Sequence, residues 1–346
     1  MEQPAARHAL AERVFRKTTL CLTHSARSVF MRGDALVVAD KLGRERPLPL
    51  ASLRRVILVG KAPVPGPVLY QLARKAVPVD WLDIFGRPVG QLLPVNGNAG
   101  FMLEAQAAFR KGPGALALAR GLLLAKLDNC HATLRRRRAL PEGWASLRRS
   151  MAAAEDPERL RGFEGAAARM YFSQWHGLLH KFDWTGRHAH PAPDPVNMLL
   201  SFGYSLLRHR LASSLRHAGL DPRLGFFHIG RGRHAALASD LMEPLRSLVD
   251  SRVLSLVRRQ ELAPADFAPR RGGGVGLAKN VFPRMLGEYE DMFDTVRTFY
   301  LAPGEPRLYV KRSANDLMDD MAESFALHVH DGHGCIIPRL APCAAA

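Results

Sequence analysis

Apolar and polar positions along the chain divide it into a strand-rich first part and a longer helical part. Over residues 17 to about 98, short β-branched and aromatic segments are separated by turn signals such as Arg32-Gly33-Asp34, and this pattern predicts strands. One helix is predicted at 65–76, where proline marks the start. The asparagine- and glycine-rich stretch at 96–100 predicts a boundary. The predicted strands lie in the segments TTLCLTH, ALVVAD, RRVILVG and VPVDWLD.

From about residue 101 to 300, apolar residues recur with the period of a helix. One predicted helix begins at Pro195, because a proline suits the first turn and Asp194 can cap it. The predicted helix at 114–138 includes Lys126 in its otherwise apolar stripe. The other predicted helices lie at about 157–180, 235–261 and 281–299.

These patterns predict an α+β protein in which an N-terminal β-rich domain precedes a larger all-helical catalytic domain. The length of 346 residues also favours more than one domain. The β domain is expected at 1–98, a linker at 99–107 and the helical catalytic domain at 108–300. Residues 301–346 form a C-terminal tail of uncertain role. The tail contains four residues that suggest either a second metal site or a solvated segment: His328, His330, Asp331 and His333.

Composition adds a strong positive charge to this picture. The chain has 49 Lys and Arg against 32 Asp and Glu, which gives a formal net charge of +17. Such an excess attracts polyanions such as nucleic acid, although a general bias toward arginine gives the same excess. The four cysteines lack CxxC spacing, so neither a zinc site nor a redox dithiol is indicated. No apolar run suits a secretion signal or a membrane span, and we therefore expect a cytoplasmic protein that is not in a membrane.

Three acids and one histidine in the helical part are candidate ligands of a divalent metal ion. Glu164 lies in RGFEGAAARMYF, His228 in GFFHIGRGRH, and Asp240 and Glu243 in ASDLMEPLR. Carboxylate oxygens suit Mg²⁺ or Mn²⁺, and one imidazole is compatible with Mn²⁺. Because these residues are far apart in sequence, they form one site only if the fold brings them together. In a strongly basic chain, such a site favours phosphodiester chemistry on nucleic acid.

Each of these residues also has a structural interpretation. Glu164 lies on the buried side of its helix and could pair with a neighbouring arginine. His228 could be a hydrogen-bonded core residue. Asp240 and Glu243 share a helix face and could complement the helix dipole. Alternatively, Pro244 could start a kink that re-aims Glu243.

Six further residues are candidate DNA contacts. Two arginines beside His228 could hold phosphates on either side of a scissile bond, or form a solvated rim. Two residues on one face of the helix after Pro195 could position DNA or line the site. Two arginines near the end of the next long helix could extend a basic track. These residues are Arg231 and Arg233, Asn197 and Tyr204, and Arg258 and Arg259.

The order and spacing of the motifs closely resemble the CRISPR-associated integrase family of spacer acquisition. The resemblance is carried by RGFEGAAARMYF, DPVNMLLSFGYSLL, GFFHIGRGRHAALASDLMEPLR and RVLSLVRRQEL, and it covers roughly residues 18–300. It implies a metal-dependent DNA endonuclease and integrase in which Glu164, His228 and Glu243 bind Mg²⁺ or Mn²⁺. Asp240 would be an essential acid close by, with a role at the metal or as a base.

The resemblance also implies partners and a reaction. We expect a homodimer formed through the N-terminal β domain, and two such dimers bridged by a small ferredoxin-like partner subunit into a heterohexamer. This assembly would hold double-stranded prespacer DNA, whose 3′-hydroxyl attacks a phosphodiester at the leader–repeat junction of the CRISPR repeat. Two alternatives stay open: a stand-alone nuclease on branched or single-stranded DNA, and a non-catalytic DNA-binding scaffold.

Overall fold

The computed structural model describes most of the chain. It covers residues 18–340 apart from 23–25, 84–86, 95–98, 136–140, 180–181, 183, 189–190, 231, 233, 271, 279 and 302–307. A strand-rich N-terminal part precedes a larger helical part, which confirms the predicted fold class.

Two sheets and one helix form the N-terminal part. The elements are β1 Thr18–Leu22, β2 Ala26–Arg32, β3 Ala35–Asp40, β4 Glu45–Pro49, β5 Leu53–Val59, α1 Gly66–Arg74, β6 Val79–Leu82 and β7 Pro88–Leu92. In the first sheet, of order β1-β5-β6-β7, β5 runs parallel to β1 and β6, and β7 runs antiparallel to β6. The second sheet, β2-β3-β4, is antiparallel, and Gly33 with φ of 58° forms the tight turn between β2 and β3.

Strand β5 shows why the hydrophobic pattern predicts some strands and misses others. Val56 and Leu58 belong to the core of the N-terminal part, whereas Ile57 and Val59 pack with Leu286 of the helical part. Because both faces of β5 are covered, the strand appears in the sequence as a continuous apolar run. The pattern does not predict β2, β4 and β7. Strands β4 and β7 contain proline and are largely exposed, so their sequences lack the alternation of a half-buried strand.

The helical part is built around one long buried helix. Its elements are α2 Ala99–Phe109, α3 Pro113–Arg135, α4 Trp144–Ala152, α5 Pro157–Ser173, α6 Pro195–His217, α7 Ala236–Leu241, α8 Arg246–Arg258, β8 Phe267–Pro269, β9 Val275–Leu277, α9 Phe282–Asp294, β10 Arg297–Leu301, β11 Leu308–Arg312, α10 Ala314–Asp331 and β12 Pro338–Leu340. Helix α6 is buried along most of its length. A Cβ at Gly203 would lie 2.6 Å from both Tyr289 and Val249, so this glycine lets α8 and α9 approach α6 closely.

The structure differs from the expected boundaries at three places. The expected linker at 99–107 lies in helix α2, which Gln106 fastens to the helical part by donating hydrogen bonds to the carbonyl oxygens of Asp221 and Leu224. The predicted helix at 235–261 is broken into α7, a 3₁₀ turn at Glu243–Leu245 and α8. The region 108–300 is not entirely helical, because strands β8, β9 and β10 lie in or at the end of it.

The C-terminal segment is part of the core. Helix α10 is buried from Ala314 to Ala322, and Thr19 of β1 donates hydrogen bonds to Asp316 and Asp319 on this helix. Strands β11 and β12 flank β10 in an antiparallel sheet. The segment expected to be a C-terminal tail therefore contains a long, deeply buried helix and two strands. Over the residues that the structure describes, we find no helix with the length and hydrophobicity needed to cross a membrane.

Candidate active site

Helices α3 and α5 place Lys126 and Glu164 face to face. Helix α5 begins at Pro157, and Asp156 caps it by accepting a hydrogen bond from the Arg159 amide. Two turns later, the half-buried Glu164 accepts a hydrogen bond from Lys126 Nζ, with 2.5 Å between Nζ and Oε1. The structural alternative predicted for Glu164 is an ion pair with a neighbouring arginine. In the structure, Glu164 instead pairs with a lysine from another helix.

The break at Pro244 places Glu243 at the same point. Helix α7 ends at Leu241, and the side-chain amide of Asn129 on α3 donates a 2.7 Å hydrogen bond to the Pro244 carbonyl oxygen. Glu243 is buried, and its Oε2 lies 2.7 Å from Lys126 Nζ. The kink expected from Pro244 is therefore present, and it directs Glu243 toward α3.

The ammonium of Lys126 lies between the carboxylates of Glu164 and Glu243. Arg246 Nε is 3.2 Å from Glu243 Oε1 and adds a second cation. Burial raises the pKa of Glu243, but the charges of Arg246, Lys126 and His228 outweigh burial and lower the pKa to about 2. Burial lowers the pKa of Lys126, and the two glutamates outweigh it and raise that pKa. Glu243 and Lys126 are therefore both charged at neutral pH.

Asp240 fixes the loop and the ring that carry His228. Its carboxylate accepts hydrogen bonds from the backbone amides of Phe226, Phe227 and His228 at 2.7–3.1 Å. The same carboxylate is 2.6 Å from His228 Nδ1. A Cβ at Gly225 would lie 2.7 Å from the His228 carbonyl oxygen, so the tight loop requires glycine there. Asp240 therefore holds His228 and the loop before it, and the hydrogen bonds of its carboxylate within the described part of the chain involve residues 226–228.

His228 Nε2 faces Glu243. Because Nδ1 is bound to Asp240, Nε2 is the ring nitrogen left for a ligand, and it lies 3.9 Å from Glu243 Oε1. Burial lowers the pKa of His228, but the hydrogen bond to Asp240 and the charge of Glu243 outweigh burial and raise it. About a third of the ring is exposed to solvent.

The donor set suits a divalent cation. Two carboxylates and an imidazole nitrogen converge from three segments, and the histidine has the carboxylate partner that orients metal-binding histidines. The Lys126 ammonium already provides a positive charge between the glutamates, as a stand-in for such an ion. Among the described residues, no three His, Cys, Asp or Glu side chains are spaced as a complete metal site. The tail residues His328, His330, Asp331 and His333 do not form such a group either.

A cavity of about 110 Å³ adjoins this site. Tyr204, predicted to position DNA or to line the site, is buried and lines this cavity. Its hydroxyl donates a hydrogen bond to the buried Asp250, and the guanidinium groups of Arg187 and Arg246 lie 5.4 and 4.9 Å from its ring centre. Burial raises the pKa of Asp250 to about 6, against the opposing effect of the Tyr204 hydroxyl. The cavity is also lined by Lys126, Leu127, Cys130, Trp144, Glu164, Ala167, Ala168, Tyr171 and Phe172.

The predicted DNA contacts have different positions in the fold. Asn197 is fully buried, and its amide group bonds to Arg187, His188, Gly186 and Asp194, so the prediction that it contacts DNA is wrong for this geometry. It lies in the first turn of α6, where it braces the preceding loop. Arg258 and Arg259 are exposed at the end of α8 and stay candidates for phosphate contact. Arg231 and Arg233 lie outside the described residues.

Sequence reasoning does not identify Lys126 and Arg246 as site residues. A lysine within the apolar stripe of α3 is a signal of a buried partner, and Arg246 follows Glu243 by one helical turn. Neither signal specifies the partner, because the distances depend on how α3, α5 and the turn at 243–245 pack together.

A family model and a curated relative that match this chain point to the same family. The family described as CRISPR associated protein Cas1 matches residues 20–291. A curated relative, CRISPR-associated endonuclease Cas1 1 of Thermus thermophilus, is 37% identical over 281 residues, which cover 79% of this chain and 86% of the relative.

Two solved structures share the fold. A chain of a partial Cas6-RT-Cas1–Cas2 complex has a TM-score of 0.75 at 23% identity and covers 91% of this chain and 96% of its own. A casposase bound to integration product has a TM-score of 0.66 at 19% identity, with the same two coverages.

Proposed function

The chain belongs to the Cas1 family of CRISPR-associated proteins, and from this premise we propose that it is the metal-dependent integrase of CRISPR adaptation. In the proposed reaction, the 3′-hydroxyl of a prespacer attacks a phosphodiester at the leader–repeat junction. One phosphodiester bond forms as another breaks, and the 3′-oxygen of the repeat strand leaves. Because the number of phosphodiester bonds is unchanged, the joining step needs no nucleotide hydrolysis.

The observation that carries this proposal is that Glu164 and Glu243 share one cation, Lys126, while His228 Nε2 lies 3.9 Å from the other oxygen of Glu243. These three groups would hold Mg²⁺ or Mn²⁺, with Asp240 orienting His228. When bound, such an ion polarises a phosphoryl oxygen and lowers the pKa of an attacking hydroxyl. Arg246, half-buried beside Glu243, contributes positive charge near the phosphate that reacts.

The proposed partners follow from the family and the solved structures that share its fold. The similar chain in the Cas6-RT-Cas1–Cas2 complex supports a Cas2-type partner, and the casposase bound to integration product supports an integration reaction; double-stranded DNA as substrate is part of the proposal. A homodimer, and a heterohexamer of two homodimers bridged by the small ferredoxin-like partner, remain part of the proposal. The formal net charge of +17 favours contacts with many phosphates along the DNA backbone.

The proposal is tested by joining a labelled prespacer to a supercoiled plasmid that carries a repeat array, with Mn²⁺ and the partner subunit. Wild-type protein should give labelled plasmid, and Glu164→Gln should reduce joining by roughly 10³-fold, since a loss of about 4 kcal/mol of transition-state stabilisation has that effect. Glu158→Gln is the matched control, because Glu158 is exposed in the first turn of the same helix. Equal joining by wild type and Glu164→Gln would contradict the site.

A second candidate function is hydrolysis by the same site, which the name of the Thermus thermophilus relative, an endonuclease, favours. Water would replace the 3′-hydroxyl as the attacking group. In the same assay, plasmid nicking without transfer of label supports the nuclease alone. DNA binding with neither nicking nor label transfer supports a non-catalytic scaffold.

A further inference from the structure

We infer that Lys126 is an internal counter-cation that competes with the divalent ion for Glu164 and Glu243. This inference rests on the proposed function, because it concerns the same three donors. It adds a residue that the sequence motifs do not include, and it assigns that residue to control of metal occupancy.

The distances from Lys126 to the two glutamates support this competition. Lys126 Nζ lies 2.5 Å from Glu164 Oε1 and 2.7 Å from Glu243 Oε2, so a single ammonium bridges the two carboxylates. A divalent ion bound by both glutamates needs oxygen atoms at about 2.0–2.6 Å from its own centre. The ammonium and the ion therefore compete for the same carboxylate oxygens.

The burial and the charges of Lys126 and the glutamates also support it. The Lys126 side chain is 11% exposed, and that of Glu243 is 2% exposed. A carboxylate as deeply buried as that of Glu243 requires a positive partner, because an unpaired buried charge is strongly unfavourable. Without a metal ion, Lys126 and Arg246 supply this charge to Glu243, and Lys126 also pairs with the more exposed Glu164. With the ion bound, the lysine charge becomes a like-charge neighbour that weakens metal binding.

A cavity beside Lys126 provides space for the displaced amine. Lys126 lines the cavity of about 110 Å³ that also contains Asp250. A lysine side chain is flexible and carries a single point charge, so it can leave the glutamates without unfolding of α3. An arginine with two parallel hydrogen bonds to one carboxylate would be harder to displace.

The test measures Mn²⁺ binding to the metal-stripped full-length protein by isothermal titration calorimetry, without DNA. Lys126→Met should bind Mn²⁺ roughly tenfold to a hundredfold more tightly than wild type, because a positive charge a few ångströms from the ion is removed. Lys75→Met is the matched control, since Lys75 forms a 3.0 Å ion pair with Asp34 in the N-terminal part. This control should bind Mn²⁺ as wild type does.

Thermal unfolding gives a second readout. In EDTA, Lys126→Met should unfold at a lower temperature than wild type, and Mn²⁺ should raise its midpoint more than it raises that of wild type. Lys126→Gln, which keeps hydrogen-bond donors without the charge, should behave in the same way to a smaller extent. If both variants fold only when Mn²⁺ is present, the inference is supported.

The outcomes separate this inference from the proposed metal site. If wild type and every variant fail to bind Mn²⁺, the metal site itself is wrong. If wild type binds but the Lys126 variants bind with equal or lower affinity, the competition is wrong while the site stands. If the variants are unstable to the same extent in EDTA and in Mn²⁺, Lys126 is only a structural ion-pair partner and the inference is overturned.

Discussion

Two clusters of opposite charges, among those that the described residues form, hold their cations in different ways. The site cluster is Lys126, Glu164 and Glu243, and the junction cluster is Arg54, Arg312 and Asp320. In the site cluster, one ammonium serves two carboxylates that come from different segments. In the junction cluster, two guanidinium groups serve one carboxylate, and Arg54 extends from strand β5 to helix α10.

The two clusters differ in how exposed their carboxylates are and in how each cation contacts them. The Glu164 side chain is 29% exposed, whereas that of Asp320 is 0% exposed. Arg312 binds both oxygens of Asp320 at 2.8 and 3.0 Å, while Lys126 makes one short contact with each glutamate. The junction cluster therefore fixes the N-terminal sheet to the helical part, and the site cluster can exchange its cation.

The largest expected effect on stability comes from the junction cluster. Asp320→Ala leaves two arginines without their shared carboxylate and should lower the free energy of unfolding by roughly 3–5 kcal/mol. Urea unfolding monitored by circular dichroism measures this change. Glu323→Ala is the control, because Glu323 is on the same helix near Arg54 but is 45% exposed, and it should cost at most about 1 kcal/mol. Equal effects of the two substitutions would remove the distinction between the clusters.

Asp240 belongs to the candidate active site but is as deeply buried as Asp320 of the junction cluster. Asp240→Asn disturbs the contact with His228 Nδ1 and should weaken Mn²⁺ binding about 10–100-fold, as loss of a histidine-orienting carboxylate does elsewhere. Calorimetric titration checks this affinity. Asp221→Asn provides the control, since Asp221 binds the backbone and side chain of Arg223 in the same loop region. Unchanged Mn²⁺ affinity in Asp240→Asn would show that Asp240 does not position the histidine.

The smallest expected effect is a pH dependence due to Asp250. Burial raises its pKa to about 6 in the folded protein, above the ordinary 3.8, so the folded state binds this proton more tightly than the unfolded state does. Its contribution to stability is therefore present below about pH 4 and is lost as the pH rises through about 6. Asp250→Asn should remove up to about 2 kcal/mol of this dependence, measured by urea unfolding at pH 4 to 7. Parallel pH profiles for variant and wild type would contradict the assignment.

Much of the fold and part of the site could be predicted because local signals determine them. Asp194 and Pro195 specify the start of α6, and Pro244 specifies the break that re-aims Glu243. Glu164 and His228 are recognisable from their motifs and from the chemistry of metal ligands. These residues carry their signals in the adjacent sequence.

The rest depended on packing between distant segments. The acidic residues of α10, which include Asp316 and Asp320, have the pattern of a solvated helix face in the sequence. They are buried because β1 and β5 bring Thr19 and Arg54 onto them. In the same way, Lys126 looks like an interruption of the apolar stripe of α3 until α5 and the turn at 243–245 pack against it.

The most direct test of the central claim is a crystal of the full-length protein soaked in Mn²⁺ and measured at the manganese absorption edge. The account predicts one anomalous peak within bonding distance of Glu164, Glu243 and His228 Nε2, with the Lys126 ammonium moved away from both carboxylates. A peak elsewhere, or Lys126 still bridging Glu164 and Glu243 at saturating Mn²⁺, would contradict it.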